Sequence, residues 1–538
     1  MKKGKIAFIS ALLLSVISLT GCRTLNYEFL RSIETIFSSI NEPAKQPTKI
    51  IAPESIDLNL SQDFQKYINA SLDTGENDKS LFTYVSSNSD VVSVNKYGLL
   101  TPVSDGDAQI TVTYSKNGVN LTTLINVNVK SENVSDYTIM LYMCASDLEY
   151  STSSGGGWGY SSGPGLFSED IKEILGVKGL NEKINIIIET GGTKKWFLPS
   201  TYLDGATEIS STNLQRWKVE NNKLKLVSTL DTNYMAKESS FEDFLKWGLL
   251  DYPAKQMGVV LSSHGAGIAG CAFDDNYTYT YAGTSYQHTL RTYEVAEAAK
   301  NALESSSRNK FTWIGYDCCL MQCGDVASIN ADYFEYMVAS QESESGDGWN
   351  HDYYLPYLVA NPNITPLEFL PRICDAFLSQ SHSDRENSAC LQTLSVLDLT
   401  KMNEFTESFN SLCNTYIGTS RSSFNNVKYA FKASYNSFGE GCYGLCDFES
   451  LLNKLKDYFF TINLTNILSK LHEVVIYNKY CSKYTTSICG LNAFVPCRAN
   501  TSYSLQVGKE DYANTLSTKF TDWQTLCVNN GEFGWDSI

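Results

Sequence analysis

The chain reads as an α/β protein whose mostly parallel sheet is flanked by helices, preceded by a small all-β sandwich. Three observations point there. At 538 residues it exceeds what one hydrophobic core serves. From Ile50 to Lys130 short runs alternate apolar and polar residues with period two, and beyond about Asp136 apolar β-rich runs alternate with helical patterns. Hydrophobic residues make up 43% and charged residues 19%, ordinary globular usage that opposes wholesale disorder. The formal net charge of -17 opposes nucleic-acid binding, because contact with phosphates needs a concentrated basic face.

The order along the chain begins with a targeting segment, residues 1–22. Lys2, Lys3 and Lys5 precede an apolar run from Ile6 to Leu19, too short for an ordinary membrane span. The run ends in Leu19-Thr20-Gly21-Cys22, which resembles the lipobox of bacterial lipoproteins. That resemblance implies cleavage before Cys22, a lipid on its thiol, and a chain exported and held by that lipid at the extracytoplasmic face of the cell membrane. Residues 23–49 include Glu42-Pro43-Ala44-Lys45-Gln46-Pro47-Thr48 and read as a tether.

Residues 50–131 carry the sandwich pattern, with Gln109 to Tyr114 and Leu124 to Val129 as alternating strands bounded by turn residues. Within them, Ser86-Ser87-Asn88-Ser89-Asp90-Val91-Val92-Ser93-Val94, Gly98 to Val103 and Gly106 to Val112 resemble the bacterial group 2 immunoglobulin-like domain. The resemblance implies a spacer or adhesive module; nothing in this segment looks catalytic.

Residues 136–538 hold the α/β part. Candidate strands are Thr138 to Met143, Ile184 to Glu189, Gly258 to Ser262, Thr312 to Tyr316 and Tyr336 to Ala339, with helical patterns at Phe241 to Leu250 and Tyr293 to Leu303. In parallel sheets reactive groups collect beyond the carboxyl ends of strands. Two such ends carry chemistry: Val259 to Ser263 runs into His264-Gly265, and Trp313 to Tyr316 runs into Asp317-Cys318-Cys319-Leu320-Met321. A thiol is largely protonated near neutrality and gains reactivity from an adjacent base, so a histidine and a cysteine on neighbouring strand ends suit nucleophilic catalysis. Ser151 to Gly165 reads as a flexible Ser/Gly-rich loop.

These segments resemble the clostripain family of clan CD cysteine peptidases, with a caspase-like fold. Tyr137 to Glu149, Asp251-Tyr252-Pro253-Ala254, Val338-Ala339-Ser340-Gln341-Glu342 and Gly346-Asp347-Gly348-Trp349 carry the same likeness, which continues faintly through Gly490 to Pro496. The resemblance implies an endopeptidase acting on protein or peptide substrates after Arg or Lys. Leu320-Met321 sets the register, so Cys319 is the nucleophile and Cys318 stands where the family has alanine. His264 is the acid/base partner, and the backbone N–H groups of Gly265 and Cys319 are the oxyanion donors. Asp317 implies a carboxylate at the floor of the substrate pocket. Asp274-Asp275 resembles acidic positions near the site in a family some of whose members depend on calcium. The sequence itself requires no cofactor, and no metal site is read from it.

Fifteen cysteines remain ambiguous: setting aside Cys22 and one catalytic thiol leaves an odd thirteen, and the expectation is that most are small buried apolar residues. His288, His351, His382 and His472 lie outside any motif and are expected at the surface or in packing. Two rival readings stand beside the peptidase: a catalytically inactive surface adhesin or binding protein with a peptidase-like domain, and an exported serine hydrolase.

Overall fold

A computed structural model describes residues 46–538 apart from 61–65, 117, 131–133, 152–164, 282, 307, 380–391, 438–443, 483, 485, 498–508, 510, 516–517 and 534–538. The dominant feature is a ten-stranded sheet. Its strands in chain order are β1 (Ser135–Cys144), β2 (Ile184–Gly191), β3 (Leu203–Asp204), β4 (Gln215–Glu220), β5 (Lys223–Thr229), β6 (Ala254–Ser262), β7 (Phe311–Asp317), β8 (Phe334–Ala339), β9 (Thr393–Asp398) and β10 (Val475–Tyr480). Across the sheet they run β3-β5-β4-β2-β1-β6-β7-β8-β9-β10.

The five central strands, β2-β1-β6-β7-β8, are mutually parallel. They are the five strands expected from sequence, each lengthened at one or both ends. Their continuous apolar runs follow from burial on both faces, which parallel sheets with helices on either side impose. In β1, Met140, Tyr142 and Cys144 enter one core, while Tyr137, Ile139, Leu141 and Met143 enter the other. Helices Glu238–Asp251 and Thr292–Glu304 cover the first face. Helices Leu166–Gly176, His351–Ala360 and Pro366–Ser379 cover the second. Gly258 on β6 pairs with Trp313 on β7, and a methyl at Gly258 would run into the indole, so the glycine makes room for a fully buried tryptophan. Truncating such a side chain to alanine typically costs about 3–5 kcal/mol.

The antiparallel margins were not anticipated: β4 and β5 on one side, β9 and β10 on the other. Cys271–Tyr281 and Thr284–Leu290 form an antiparallel hairpin outside the main sheet, also absent from the sequence reading. The hairpin escaped notice because its strands are rich in Tyr, Thr, Ser and Asn and only partly buried.

Ahead of this unit, strands Ser55–Asn59, Phe82–Ser86, Gly106–Lys116 and Val119–Lys130 form a four-stranded sheet. A three-stranded sheet of Lys66–Tyr67, Val92–Val94 and Leu99–Pro102 shares its core. Along Gly106–Lys116, Ala108, Ile110, Val112 and Tyr114 point inward at the period of two that the sequence displays. Among the described residues no helix is long and apolar enough to cross a membrane.

Candidate active site

Strand register alone brings three loops together. Met143 of β1 pairs with Ser262 of β6, and Ser262 pairs with Asp317 of β7. The segments that follow, Ala145 to Asp147, Ser263 to Gly265 and Cys318 to Cys319, therefore leave the sheet at one level. From β1 the chain moves first to β2 on one side and later to β6 on the other, so the crevice lies at the switch in strand order where open α/β sheets bind ligands.

The backbone of Gly265 lies directly on the cysteine loop. A Cβ there would collide with the carbonyl oxygen of Cys319 and approach Cys318 Cβ at 2.9 Å and Met321 Cγ at 3.0 Å. Only glycine permits this contact, and the Ser263 N–H tightens it by donating to the Asp317 carbonyl at 3.2 Å. His264 is thereby held beside the loop that carries Cys319. On its other side, His264 Nε2 lies 2.6 Å from Asp147 Oδ1. The hydrogen bond to His264 holds the Asp147 carboxyl below its usual range despite partial burial. With Nε2 engaged, Nδ1 is the nitrogen left for proton transfer. Asp147 reaches this position because Ser146 takes a left-handed φ of 48° just after β1 and opens a single helical turn.

The two adjacent cysteines separate cleanly. Cys318 is buried, its thiol donates to the Leu261 carbonyl at 3.3 Å, and burial raises its pKa well above the ordinary thiol value. Cys319 is only partly buried, and its sulfur accepts the Glu344 N–H at 3.2 Å. Leu320 follows with φ 67°, a conformation that costs a non-glycine residue roughly 1–2 kcal/mol, and its N–H donates to the Glu342 carbonyl at 3.0 Å. This turn leaves the Cys319 side chain beyond the carboxyl end of β7, packed against the core yet only partly buried.

Asp317 sits behind the cysteine, buried at the end of β7. Burial pushes it up to about 6, against the hydrogen bonds it receives from Glu344 and from the Trp349 N–H, the latter at 3.3 Å. The Glu344 carboxyl beside it is buried too and is pushed well above its ordinary value, first by desolvation and then by the charges of Asp317 and Cys319. Gly348, at φ 59°, packs so closely that a Cβ there would stand 2.9 Å from Asp317 Oδ2. Behind Asp317, a ring nitrogen of His351 and a carboxylate oxygen each of Asp170 and Asp317 lie within 4.8 Å of one another.

His264, Gly265 and Cys319 are thus brought together at one crevice, with Asp317 buried behind Cys319. Two residues were missed. Asp147, in the triplet Asp147-Leu148-Glu149 that closes the stretch Tyr137 to Glu149, stood without a role, and Glu344 three residues before Asp347 carried no signal. Glu149, the acid of the same triplet, is structural: it accepts the Ser168 N–H at 2.9 Å and the Phe197 N–H at 2.7 Å. Asp274 is also structural, accepting N–H groups of Met235, Ala236 and Asn276 at 2.6, 3.2 and 2.7 Å. Asp275 accepts from Gln287 of the hairpin. His288 stacks on Tyr277 with ring centroids 3.8 Å apart, and His472 pairs with Glu449. Nine of the twelve described cysteines are buried. Cys22, the tether before residue 46, the Ser/Gly-rich insert 152–164 and His382 lie outside the described residues.

Comparison with known proteins gives two family models. That of the clostripain family matches residues 161–537, and that of the bacterial Ig-like domain (group 2) matches residues 53–124. No curated protein matches the chain. Similar solved structures include a secreted C11 cysteine protease from Bacteroides thetaiotaomicron, 15% identical with a TM-score of 0.48, over 68% of this chain and 94% of that one. An inactive zymogen C11 protease from Parabacteroides distasonis is 16% identical with a TM-score of 0.48, over 73% of this chain and 99% of that one.

Proposed function

The chain belongs to the clostripain family, and on that premise we propose that it is a cysteine endopeptidase cleaving after Arg or Lys through Cys319 and His264. The observation that carries this reading is the seating of Gly265 on the Cys318–Cys319 backbone while Asp147 fixes the far nitrogen of His264.

In this reaction His264 Nδ1 takes the Cys319 proton and the thiolate attacks the scissile carbonyl carbon. The N–H groups of Gly265 and Cys319 stabilise the resulting oxyanion. The imidazolium, steadied by Asp147, returns the proton to the leaving amine, and His264 then activates the water that releases the acyl group. Asp317 supplies the charge for a basic side chain before the cleaved bond. Above its pKa of about 6 it is ionised, and a buried carboxylate is costly unless a cation joins it. The guanidinium of Arg adds forked hydrogen bonding, so Arg is at least equal to Lys.

The same proposal places the enzyme outside the cytoplasm, anchored by lipid at Cys22, with residues 23–49 and the sandwich of residues 50–131 holding the peptidase region of residues 136–538 away from the bilayer. A peptide-library cleavage profile with and without iodoacetamide tests the activity. Cleavage after Arg or Lys that the alkylating agent abolishes is the expected result. Activity that survives alkylation would point to a serine enzyme, and no cleavage of any peptide would leave a binding protein.

A further inference from the structure

Behind the catalytic crevice, three buried side chains from distant parts of the chain converge. Asp170 comes from helix Leu166–Gly176, Asp317 from the end of β7, and His351 opens helix His351–Ala360. Their fractional exposures are 4%, 7% and 0%. One donor atom from each lies within 4.8 Å of the other two.

The imidazole gives the cluster its meaning. His351 Nδ1 is paired with the Tyr354 hydroxyl at 2.7 Å, and the backbone N–H of His351 donates to Glu173 at 2.9 Å, so the ring is fixed in position and orientation. Nε2 is buried and has no hydrogen-bond partner among the described residues. A buried polar atom without a partner costs about 1–3 kcal/mol, and natural proteins rarely leave one without a purpose. A ring nitrogen whose other nitrogen is held by a hydroxyl has the orientation that ligating histidines show, where the outer hydrogen bond sets the tautomer.

We propose that Asp170, Asp317 and His351 form a binding site for one divalent transition-metal ion of the zinc class. One imidazole and two carboxylates match such an ion, whereas calcium takes 6–8 oxygen ligands and magnesium an octahedron rich in water. An ion with bonds of about 2.0–2.2 Å needs tetrahedral donors about 3.3–3.6 Å apart, a contraction that small side-chain rotations supply. Two carboxylates and a neutral imidazole carry a formal charge of -2, which the ion cancels. The ion would tie both helices to the strand that leads into Cys319, and because it would occupy the Asp317 carboxylate, the ion and a basic substrate side chain would exclude each other there. This site goes beyond the peptidase reading and stands without it.

Because the Cys319 thiol and His264 also attract such ions, the probe is Co2+ added to the Cys319→Ala chain under reducing conditions. Its visible d–d spectrum reports nitrogen and oxygen ligation, while a near-ultraviolet sulfur-to-cobalt charge-transfer band reports thiolates. The expected result is one Co2+ per chain bound without the sulfur band and displaced by Zn2+. His351→Gln and Asp170→Asn, each checked for native circular dichroism, should weaken binding at least tenfold. The proposal is overturned if the parent chain binds no Co2+, if binding shows the sulfur band alone, or if both folded variants bind as tightly as the parent.

Discussion

Replacing Asp317 with asparagine should make the protein more stable and a worse enzyme. The carboxyl is raised from 3.8 to about 6 by burial, a displacement of roughly 2 units, and each unit corresponds to about 1.4 kcal/mol. The sign follows from linkage. Between an unfolded pKa of about 3.9 and the folded value of about 6, the folded chain binds more protons than the unfolded one, so stability falls as pH rises through that window and is flat above it. Ionised Asp317 therefore costs up to about 3 kcal/mol at pH 7.5, and the substituted amide, still able to accept the Trp349 N–H, removes that cost. All eight tryptophans lie between Trp158 and Trp535, outside the N-terminal sandwich, so urea unfolding followed by tryptophan fluorescence reports on the peptidase region alone. Measured with a chelator present, the two proteins should have similar midpoints at pH 4 and diverge by pH 7, with the variant the more stable. Cleavage after Arg should fall by about two to three orders of magnitude in the variant, the kinetic equivalent of the roughly 3–5 kcal/mol lost with a buried charge partner. If the two stability curves run parallel from pH 4 to pH 7, the electrostatic account of Asp317 is wrong.

Other outcomes follow from the same geometry. Cys319→Ala should abolish peptide cleavage with the fold retained, whereas Cys318→Ala should keep most activity because that thiol is buried and held protonated; kcat measurements on both variants decide between them. Asp147→Asn should lower kcat at least tenfold, part of the roughly 10²–10⁴ that acid–base assistance contributes, and near-normal turnover would remove Asp147 from the mechanism. Gly265→Ala should cost about 1–3 kcal/mol of stability through overpacking and most activity, since the Cys319 carbonyl cannot yield without moving the thiol; an active, fully stable variant would contradict the contact. Cys22→Ser should release the chain from the membrane fraction, and metabolic fatty-acid labelling that never marks the wild type would count against the anchor.

The five central strands were legible because burial on both faces forces uninterrupted apolar runs, as in Ile186 to Ile188 and Ile139 to Met143. Their ends carried His264 and Cys319, and register did the rest. The outer strands were not legible: Lys223–Thr229 and Val475–Tyr480 mix charged and polar residues because one face meets solvent. Asp147 was hidden for a different reason. Its position depends on a single left-handed residue, Ser146, a conformation with no signature in a serine. Glu344 and His351 were invisible because their significance is burial beside Asp317, and burial of a charged residue in a loop leaves no periodic trace. Cys319 could be distinguished from Cys318 in sequence only by likeness to a family; in three dimensions solvent access separates them.

The hairpin of Cys271–Tyr281 and Thr284–Leu290 connects the strand that presents the histidine to the helix preceding the strand that presents the cysteine, yet pairs with neither strand of the main sheet. Its base is fastened to the crevice by a bridge between Gly265 and Cys271, while its tip turns at Gly283, with φ 82° and open space around it. Descendants of such a gene can therefore lengthen, shorten or redecorate the tip without disturbing the alignment of the reacting groups. Only the tip has that freedom, because Asp274 and Asp275 nearer the base hold the neighbouring backbone and Gln287 in place, so selection can alter the tip without moving His264 or Cys319.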